Sequence, residues 1–408
     1  MSNQSTAGVH VTPASLPGPY HSADIPGTGG VLKQQPEDFV VEEIPAYDHS
    51  GEGEHLYLWV EKRDLSTPHM LRMLAKAFRM RERDIGYAGL KDRDAVTRQW
   101  ISMYLKGRPA LEAAEELADR FEHSNIKILR RTRHGNKLKI GHLRGNRFHI
   151  VVRNVDDSAT DENVQRIANL LRGGAPNYFG CQRFGVRMNG ADTARLFMLG
   201  RWAEAFESLW PGVSGGEVSD DRNLEKRRNH FRHGRWKLLM DTMPRAALRV
   251  VLSSYQSMLF NRFVAAHLKD MQRVYAGQIM CRMDNGALFM AEDAAVEQQR
   301  CDALEISPTG PLYGPKMMWS QGMAGQWEQE IFASQDCSLE VLGRPAPGFN
   351  LQGDRRAMRM IPHNLAVQLD KTAGTLHLSF DLHSGSYATV ILREFMKNAA
   401  PDSPKIKE

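Results

Sequence analysis

The stretch "GYAGLKDRDAVTRQW", residues 86–100, places one carboxylate, Asp92, between two cations and between two segments with strand character. The segments "IGYAGL" (85–90) and "AVTRQWISMYL" (95–105) both predict strands. The second alternates Val96, Arg98 and Trp100 with Thr97, Gln99 and Ile101. The charged turn "KDRD" joins the two segments, so Asp92 is predicted on a loop that a rigid scaffold presents, a frequent position for catalytic groups.

The segments around this hairpin indicate short strands mixed with helices. "EHLYLWVEKRD" (54–64) predicts a strand, and "NKLKIGHLRGNRFHIVVRNV" (136–155) predicts a strand, a turn and a second strand. "STPHMLRMLAKAF" (66–78) and "TDENVQRIANLLRGG" (160–174) predict capped helices. Because regular alternation of strand and crossover helix is absent, the pattern favours an α+β fold with a mixed, mainly antiparallel sheet and flanking helices.

The length of 408 residues is too great for one ordinary core, so two domains are expected. Residues 1–30, rich in Gly, Pro and Ser, predict an irregular N-terminal arm. "WPGVSGGEVSDDRN" (210–223) has the composition of a linker, and residues 203–348 predict a second domain with a long helix over 245–270. After residue 349 the pattern returns to strands, with a helix at the end.

Composition limits the class of protein. No run of eighteen apolar residues is present, which argues against a membrane span, and the N-terminal stretch lacks the features of a secretory signal, so a cytoplasmic location is expected. The four cysteines, at positions 181, 281, 301 and 337, show no CxxC or other metal spacing, and no HExxH motif occurs. No metal site is therefore predicted.

Positive charge is concentrated in two stretches, although the net charge is only +5. Between Glu122 and Asp156 there are nine Lys and Arg residues and no acidic residue. The second stretch, "EKRRNHFRHGRWK" (225–237), interleaves Phe231 and Trp236 with six Lys and Arg residues. A solvated basic face would explain either stretch alone, but the two together favour a nucleic-acid partner.

Asp92 is the first candidate for chemistry. Neighbouring cations favour the ionised form of a carboxylate, which can then act as a base or nucleophile. A charged hairpin turn is the alternative interpretation. A third possibility is a carbohydrate-active hydrolase, which needs a second carboxylate that Glu42, Glu43 or Glu54 could supply.

The second candidate is "NYFGCQRFG", residues 177–185, which combines Asn177 with the aromatic residues Tyr178, Phe179 and Phe184. Side-chain amides read base edges and aromatic faces stack on bases. An aromatic core loop ended by glycine is the alternative.

Six segments occur in the order found in the TruD family of tRNA pseudouridine synthases, which the chain resembles from about residue 30 to 396. They are "PEDFVVEE" (36–43), "GYAGLKDRDAVTRQW" (86–100), "KLKIGHLRGNRF" (137–148), "NYFGCQRFG" (177–185), "SSYQSMLFN" (253–261) and "GSYATVILREF" (385–395). The pattern GxKDxxAxTxQ is specific to that family. The resemblance implies a pseudouridine-synthase catalytic domain formed by residues 31–202 and 349–408, with an α/β domain over 203–348 inserted within it.

The resemblance also implies roles for individual residues. Asp92 matches the family's nucleophile, Phe39 and Tyr387 match aromatic residues that contact the substrate, and Asn177 matches the asparagine of the NYFG loop. Relatives can carry phenylalanine at the position of Tyr387. Two further substrate-site residues are expected, Phe179 for stacking and Lys33 as the cation that keeps Asp92 ionised.

The implied reaction isomerises uridine to pseudouridine in tRNA, with uridine 13 as the target, and requires neither metal nor organic cofactor. A monomer is expected. A non-catalytic RNA-binding protein that uses the same cleft is the alternative, and turnover would distinguish the two. Both predict RNA affinity that falls steeply with salt, whereas a carbohydrate hydrolase does not.

Overall fold

The computed structural model describes residues 18–105, 107–185, 187–215, 222–335 and 337–397. These residues form two compact units. The first, here called the sheet unit, comprises residues 22–175 and 360–397, and the second, the helical unit, comprises 176–359 with residues 18–21. The main segment of the helical unit is continuous and separates the two segments of the sheet unit in sequence.

The described residues contain the following strands and helices. The strands are β1 (Gly29–Val31), β2 (Phe39–Pro45), β3 (His55–Arg63), β4 (Ile85–Tyr87), β5 (Val96–Tyr104), β6 (Ile126–His134), β7 (Leu143–Val155), β8 (Ala175–Pro176), β9 (Ile279–Arg282), β10 (Leu288–Met290), β11 (Ile306–Leu312), β12 (Asp354–Ala357), β13 (Arg359–Met360), β14 (His363–Asp370) and β15 (Thr375–His383). The helices are α1 (Thr67–Ala77), α2 (Arg108–Asp119), α3 (Asp161–Arg172), α4 (Gly190–Met198), α5 (Trp202–Leu209), α6 (Arg222–Arg232), α7 (Trp236–Met240), α8 (Arg245–Ala266), α9 (Ala294–Asp302), α10 (Gly322–Ala333), α11 (Leu339–Gly343) and α12 (Ala388–Met396).

The sheet unit is built on a nine-stranded sheet in the order β14–β15–β7–β2–β5–β3–β6, with β1 beside β7 and β4 beside β5. Among the described strands of this sheet, β2 and β5 pair in parallel and the other pairings are antiparallel. The predicted α+β class with a mainly antiparallel sheet is confirmed. Because Val40 lies opposite Val96 in the parallel pair, β2 and β5 begin at the same edge of the sheet.

Helix α1 follows β3 and covers part of this sheet. The Ser66 side chain accepts a hydrogen bond from the main-chain N–H of His69, which caps the helix as predicted. Met70, Leu71 and Leu74 are buried and join a core cluster that includes residues of β3 and β5. Burial of each such side chain stabilises the fold by about 1.5–3 kcal/mol, so the apolar stripe determines which face of the helix packs against the sheet.

The prediction for residues 136–155 is half wrong. β7 forms as expected, but residues 136–142 are not a strand, and the strand β6 lies earlier, at residues 126–134. Leu138 is buried, whereas Ile140 is 75% exposed, so the apolar and polar alternation that suggested a strand does not mark a buried face. β6 pairs with β3, which leaves the segment after it to turn back towards β7.

The helical unit contains the long helix α8 and a four-stranded antiparallel sheet in the order β10–β9–β11–β12. The predicted helix over 245–270 is confirmed for residues 245–266. Arg355 of β12 and Glu328 of α10 form a buried ion pair of 2.7 Å in which both side chains are 1% exposed. The Arg355 guanidinium also donates to the carbonyl oxygens of Thr309 and Met318, so its charge is fully hydrogen-bonded.

The described part of the predicted N-terminal arm is residues 18–30: residues 18–28 contain neither helix nor strand, but Gly29 and Gly30 already belong to β1. Residues 18–28 are nevertheless held in place, because the N–H and hydroxyl of Ser22 both donate to the Glu394 carboxylate of α12, at 2.9 and 2.6 Å. Residues 1–17 lie outside the described part of the chain.

The predicted inserted domain, 203–348, lies within the helical unit, which also takes in residues 176–202 and 349–359. The assignment of 31–202 and 349–408 to one catalytic domain stays a prediction. Residues 216–221 of the predicted linker lie outside the described residues. No helix in the described ranges is long and apolar enough to cross a membrane.

Candidate active site

Asp92 lies on the loop between β4 and β5, residues 88–95, here called the KD loop. The predicted hairpin is confirmed, since β4 and β5 pair antiparallel with Gly86 opposite Ser102. A Cβ at Gly86 would lie 2.3 Å from the Leu138 carbonyl oxygen and 2.4 Å from the Ser102 hydroxyl. A side chain is therefore excluded where the chain enters the loop.

The parallel pairing of β2 and β5 brings Phe39 to the side of the sheet where the KD loop ends. Phe39 is the first residue of β2, and the loop re-enters the sheet at Val96, opposite Val40. Strands that run in the same direction begin at the same edge. Two segments that are more than fifty residues apart in sequence thus meet at one place.

The Lys33 ammonium forms an ion pair with the Asp92 carboxylate. Its Nζ lies 3.5 Å from Asp92 Oδ2, and the two side chains are 28% and 41% exposed. Lys33 has a φ of 55°, in the left-handed region that non-glycine residues seldom adopt. Strained backbone of this kind is often associated with functional sites. The Asp92 carboxylate is thus accessible to a substrate and faces a partly exposed ammonium.

The Phe39 ring packs against the Lys33 side chain. The Lys33 ammonium lies 4.2 Å from the centroid of the Phe39 ring, within range for a cation–π contact. The ring is only 2% exposed and meets Phe148 edge to face at a centroid distance of 6.2 Å. The implied role of Phe39 in contacting the substrate stays a prediction, and its contacts in this structure are with Lys33 and the core.

Lys62 holds the main chain of Asp92 from inside the protein. This residue of β3 is fully buried, and its Nζ donates a hydrogen bond of 2.5 Å to the carbonyl oxygen of Asp92. Among the described residues, no carboxylate lies within ion-pair distance of Lys62. Burial lowers the pKa of Lys62 to about 8, although the charges of Asp92 and Asp94 favour the ammonium; Lys91 opposes it. Compared with an ordinary lysine, the folded state disfavours this ammonium by roughly 3 kcal/mol.

The side chain of Lys91, which precedes Asp92 in the KD loop, is buried and not exposed at the surface. Its Nζ lies 3.2 Å from Glu43 Oε2 and donates to Asn146 Oδ1 at 2.8 Å; the side chains of the ion pair are 4% and 1% exposed. Burial raises the pKa of Glu43, against the opposing effects of Lys91 and the Trp100 N–H. Lys91 therefore anchors the KD loop on β2 and β7. Of the two cations that flank Asp92 in the sequence, Lys91 is thus paired with Glu43 and not with Asp92.

Thr67 and Gln99 complete the support of the KD loop. The Thr67 hydroxyl accepts from the main-chain N–H of Lys91 at 3.0 Å, and the Gln99 amide donates to the carbonyl oxygen of Gly89 at 3.2 Å. Both side chains are buried. Their presence beside a charged turn is explained by the need to satisfy the loop's main-chain polar groups.

Two of the three carboxylates that a carbohydrate hydrolase could use, Glu42 and Glu43, are bound to cations. Glu42 accepts a hydrogen bond from Arg98, and Glu43 is held by Lys91 as described. Neither of these two provides a free acid beside Asp92, which argues against a paired-carboxylate site formed with β2.

The family model described as tRNA pseudouridine synthase D (TruD) matches residues 17–249 and 232–395. The chain belongs to the TruD family. The resemblance that the six sequence segments indicate is confirmed. The family's reaction, pseudouridine synthesis, is an isomerisation.

Relatives of the same name match over nearly the whole chain. The tRNA pseudouridine synthase D of Syntrophotalea carbinolica is 37% identical over 402 residues, which cover 93% of this chain and 98% of the relative. That of Geobacter metallireducens is 39% identical over 411 residues, with 94% and 98% covered. A crystal structure described as TruD from Methanosarcina mazei superposes with a TM-score of 0.74 at 25% identity and covers 95% of this chain and 97% of its own.

Tyr387, the aromatic residue of the TruD GS-aromatic-AT turn, lies in the sheet unit. It immediately precedes α12 and follows β15, whose last residue, His383, pairs with Gly145 of β7. The next residue, Asn146, is the one that Lys91 of the KD loop contacts. Tyr387 therefore belongs to the same unit as Asp92, Lys33 and Phe39, and its contact with substrate stays a prediction.

Asn177 of the TruD NYFG loop lies in the helical unit and is 6% exposed. Its side-chain amide donates to the carbonyl oxygen of Ala357 at 2.9 Å and accepts from the Arg356 guanidinium at 2.6 Å. Both polar atoms of the amide are thus used within the unit. This arrangement orients Arg356, and the implied role of Asn177 towards substrate stays a prediction.

Phe179 lies beside the same arginine. The Arg356 guanidinium carbon is 4.2 Å from the centroid of the Phe179 ring, and the Asn261 side chain binds the Phe179 main chain through both its oxygen and its nitrogen, at 2.8 and 3.0 Å. The ring is half-buried. Its predicted stacking role remains untested.

The two basic stretches differ from their sequence interpretation. In the second, Phe231 and Trp236 meet edge to face and pack against the core of the helical unit, so they are not exposed stacking surfaces. In the first, α2 supplies carboxylates, since Arg131 binds Asp119 and Arg133 binds Glu115. Part of the positive charge of the first stretch is therefore neutralised within the fold.

Sequence reasoning missed Lys62, Glu43 and Arg356. Lys62 stands in the charged segment "EKRD", which is typical of a solvated strand end. Glu43 was considered only as a hydrolase carboxylate. The one available signal was the invariable cost of burying charge: a lysine or glutamate within an otherwise apolar strand needs a partner.

Proposed function

We propose that this protein isomerises uridine to pseudouridine in tRNA, at position 13, with Asp92 as the nucleophile. The observation that carries the proposal is the KD loop itself. An accessible carboxylate faces Lys33, while the loop's main chain is fixed from beneath by Lys62 and by the Lys91–Glu43 pair. The names of the relatives, which specify tRNA, support the substrate class.

The reaction removes a uracil from its ribose and rejoins the two through carbon. The base first leaves the RNA stack, which costs a few kcal/mol. The glycosidic C–N bond then breaks, the base turns, and a C–C bond forms to the same ribose. The proton lost from that carbon is balanced by one gained on the ring nitrogen, so no oxidant or co-substrate is consumed.

Each residue of the site has a part in this scheme. Asp92 attacks the ribose or removes a proton from it, and the Lys33 ammonium lies 3.5 Å from its carboxylate. Phe39 holds the Lys33 ammonium in place. Tyr387 receives the extruded base or its neighbours by stacking, at about 1–3 kcal/mol per base, and Phe179 of the helical unit stacks on a base of the bound tRNA. Lys62 positions the main chain of Asp92.

The direct test incubates the purified protein with unmodified tRNA transcript and maps pseudouridine by carbodiimide treatment and reverse-transcription stops. We expect a new stop that reports uridine 13. A stop elsewhere would refute the position but keep the reaction. No stop in any tRNA, in spite of salt-dependent binding, would favour the non-catalytic RNA-binding protein instead.

Replacing Phe39 by Leu is expected to lower kcat about 5- to 30-fold with little change in thermal stability. The change keeps most of the buried volume but removes the aromatic face under Lys33, whose cation–π contact is worth about 1–2 kcal/mol when partly desolvated. Single-turnover kinetics and a melting curve measure the two effects. The matched control is Phe148→Leu, which alters the neighbouring ring without touching Lys33; an equal loss of kcat in both variants would contradict the role given to Phe39.

A further inference from the structure

A cavity of about 560 Å³ lies in the sheet unit beside the segment that was predicted as a strand. Its lining residues are Tyr47, Asp48, His134, Asn136, Lys137, Lys139 and His142. This volume is within the range of small-molecule and nucleotide sites, roughly 300–1,000 Å³. None of the lining residues has a part in the chemistry proposed for Asp92.

One wall of the cavity is aromatic. The rings of Tyr47 and His134 are stacked, with centroids 5.3 Å apart and planes 23° from parallel. The Tyr47 hydroxyl and His142 Nδ1 are 3.0 Å apart, a hydrogen bond that fixes the orientation of both rings. His49 lies behind them, against Trp100 at a centroid distance of 4.3 Å. The wall is therefore rigid and offers flat π surfaces of the kind on which bases stack.

The other wall carries two lysines, Lys137 and Lys139. Within the described ranges, neither Lys137 nor Lys139 forms an ion pair with a carboxylate, in contrast to Arg131 and Arg133 of the same basic stretch. Lys139 is exposed, and Lys137 is held in place by donating to the carbonyl oxygen of Arg83. Asp48 is the single carboxylate among the lining residues.

The segment that lines the cavity is hydrogen-bonded to the KD loop. The main-chain N–H of Gly141 donates to the carbonyl oxygen of Ala88 at 2.8 Å, which ties the lining segment to the start of the loop. Ala88 precedes Asp92 by four residues, so their Cα atoms are at most about 14 Å apart. Two exposed apolar side chains, Leu90 at 66% and Ile140 at 75%, lie on these joined segments. The segment that lines the cavity is thus tied to the loop that carries Asp92.

We propose that this cavity binds a nucleotide that flanks the target uridine, with its base against the Tyr47–His134 wall and its phosphate at Lys139 and Lys137. The proposal rests on the proposed function for the identity of the RNA. A stacking surface together with unpaired cations matches a nucleotide, which carries a π face and an anion a few ångströms apart. The site contributes to affinity and to the choice of uridine, and leaves the chemical step unchanged.

Two variants test the two halves of the site. Tyr47→Ala, which removes the stacking surface, is expected to raise KM for tRNA about 10-fold or more without changing kcat at saturation. Lys139→Ala is expected to raise KM less, and to reduce the slope of log affinity against log salt by about 0.7–0.9, the value for one lost phosphate contact. Tyr47→Phe keeps the ring and is expected to retain most of the affinity.

Lys76→Ala, at an exposed lysine of α1, is the charge-matched control and is expected to change neither KM nor the salt slope. If Tyr47→Ala and Lys139→Ala behave like Lys76→Ala while the wild type forms pseudouridine, the nucleotide site is refuted and the proposed function stands. If the wild type forms no pseudouridine but its RNA affinity depends on Tyr47 and Lys139, the proposed function fails and the nucleotide site stands.

Photo-crosslinking identifies the bound nucleotide directly. tRNA transcripts with 4-thiouridine at single positions on either side of the target are irradiated with the full-length protein, and the linked peptide is sequenced. We expect one flanking position to link to the peptide that contains Tyr47 or His134. If every flanking position links only to peptides that contain neither Tyr47 nor His134, the proposal is overturned.

Discussion

Replacing Asp92 by Asn is expected to abolish pseudouridine formation while tRNA affinity stays near that of the wild type. The amide has almost the same shape as the carboxylate but can neither attack the ribose nor take up a proton. Loss of a nucleophile commonly lowers turnover by four orders of magnitude or more, because the residual rate comes from binding alone. Because the Asp92 side chain is 41% exposed and is not part of the core, folding should be unaffected.

The measurement pairs reverse-transcription mapping with filter binding at a fixed salt concentration. Asp94→Asn is the matched control, since it removes one carboxylate from the same loop at an exposed position. We expect the Asp94 variant to keep turnover within a few-fold of wild type. Turnover retained by Asp92→Asn would refute Asp92 as the nucleophile, and loss of turnover in both variants would point to a general effect of loop charge.

Replacing Lys62 by Met is expected to lower kcat about 10- to 100-fold without lowering thermal stability at pH 7. Methionine has a similar length and needs no hydration, so the roughly 3 kcal/mol that the folded state loses by burying the ammonium is recovered and offsets the lost hydrogen bond to the Asp92 carbonyl oxygen. The loop is then free to shift, and a displacement of about 1 Å at a reacting group can cost 100-fold in rate. KM should change little.

The pH dependence of this variant separates positioning from simple packing. Between pH 8 and 10.5 the unfolded chain keeps the Lys62 proton and the folded chain has lost it, so wild-type stability rises with pH in that window. Any stability advantage of the Met variant at pH 7 should therefore shrink towards pH 10. Wild-type kcat should fall above about pH 8, as the ammonium beside Asp92, Asp94 and Lys91 loses its charge, and the variant should lack this decline.

Lys76→Met is the control for lysine loss, because Lys76 is exposed on α1. A Lys62→Met protein that melts several degrees lower with unchanged kcat would show that Lys62 serves the fold alone. A wild type and variant with the same pH profile would likewise contradict the positioning role.

Much of the site could be predicted because its signals are local. The KD loop stands between two segments of clear strand alternation, and Lys33, the cation that the sequence analysis assigned to Asp92, lies 3.5 Å from its carboxylate. Helix α1 and its Ser66 cap could likewise be predicted from the sequence, since capping and the apolar stripe depend on residues within one or two helical turns.

The missed features depend on contacts between distant segments. Lys62 is buried only because the KD loop covers the end of β3, and Glu43 is matched only because Lys91 turns inward. The aromatic residues of the second basic stretch could not be distinguished from exposed stacking residues, because their burial depends on α5, where Phe206 stacks on Trp236. Alternation alone also failed at residues 136–142, where β6 had already taken the place beside β3.

The anchoring of the KD loop has a consequence for how activity arises during folding. The loop is tied to four strands, by Lys62 of β3, Glu43 of β2, Asn146 of β7 and Gln99 of β5, and these strands are brought together only when the sheet has closed. A partly assembled chain would have Asp92 in its sequence but no fixed carboxylate. Catalytic competence should therefore appear together with the cooperative formation of the whole sheet, and an assay of turnover would report the native topology as faithfully as a spectroscopic probe.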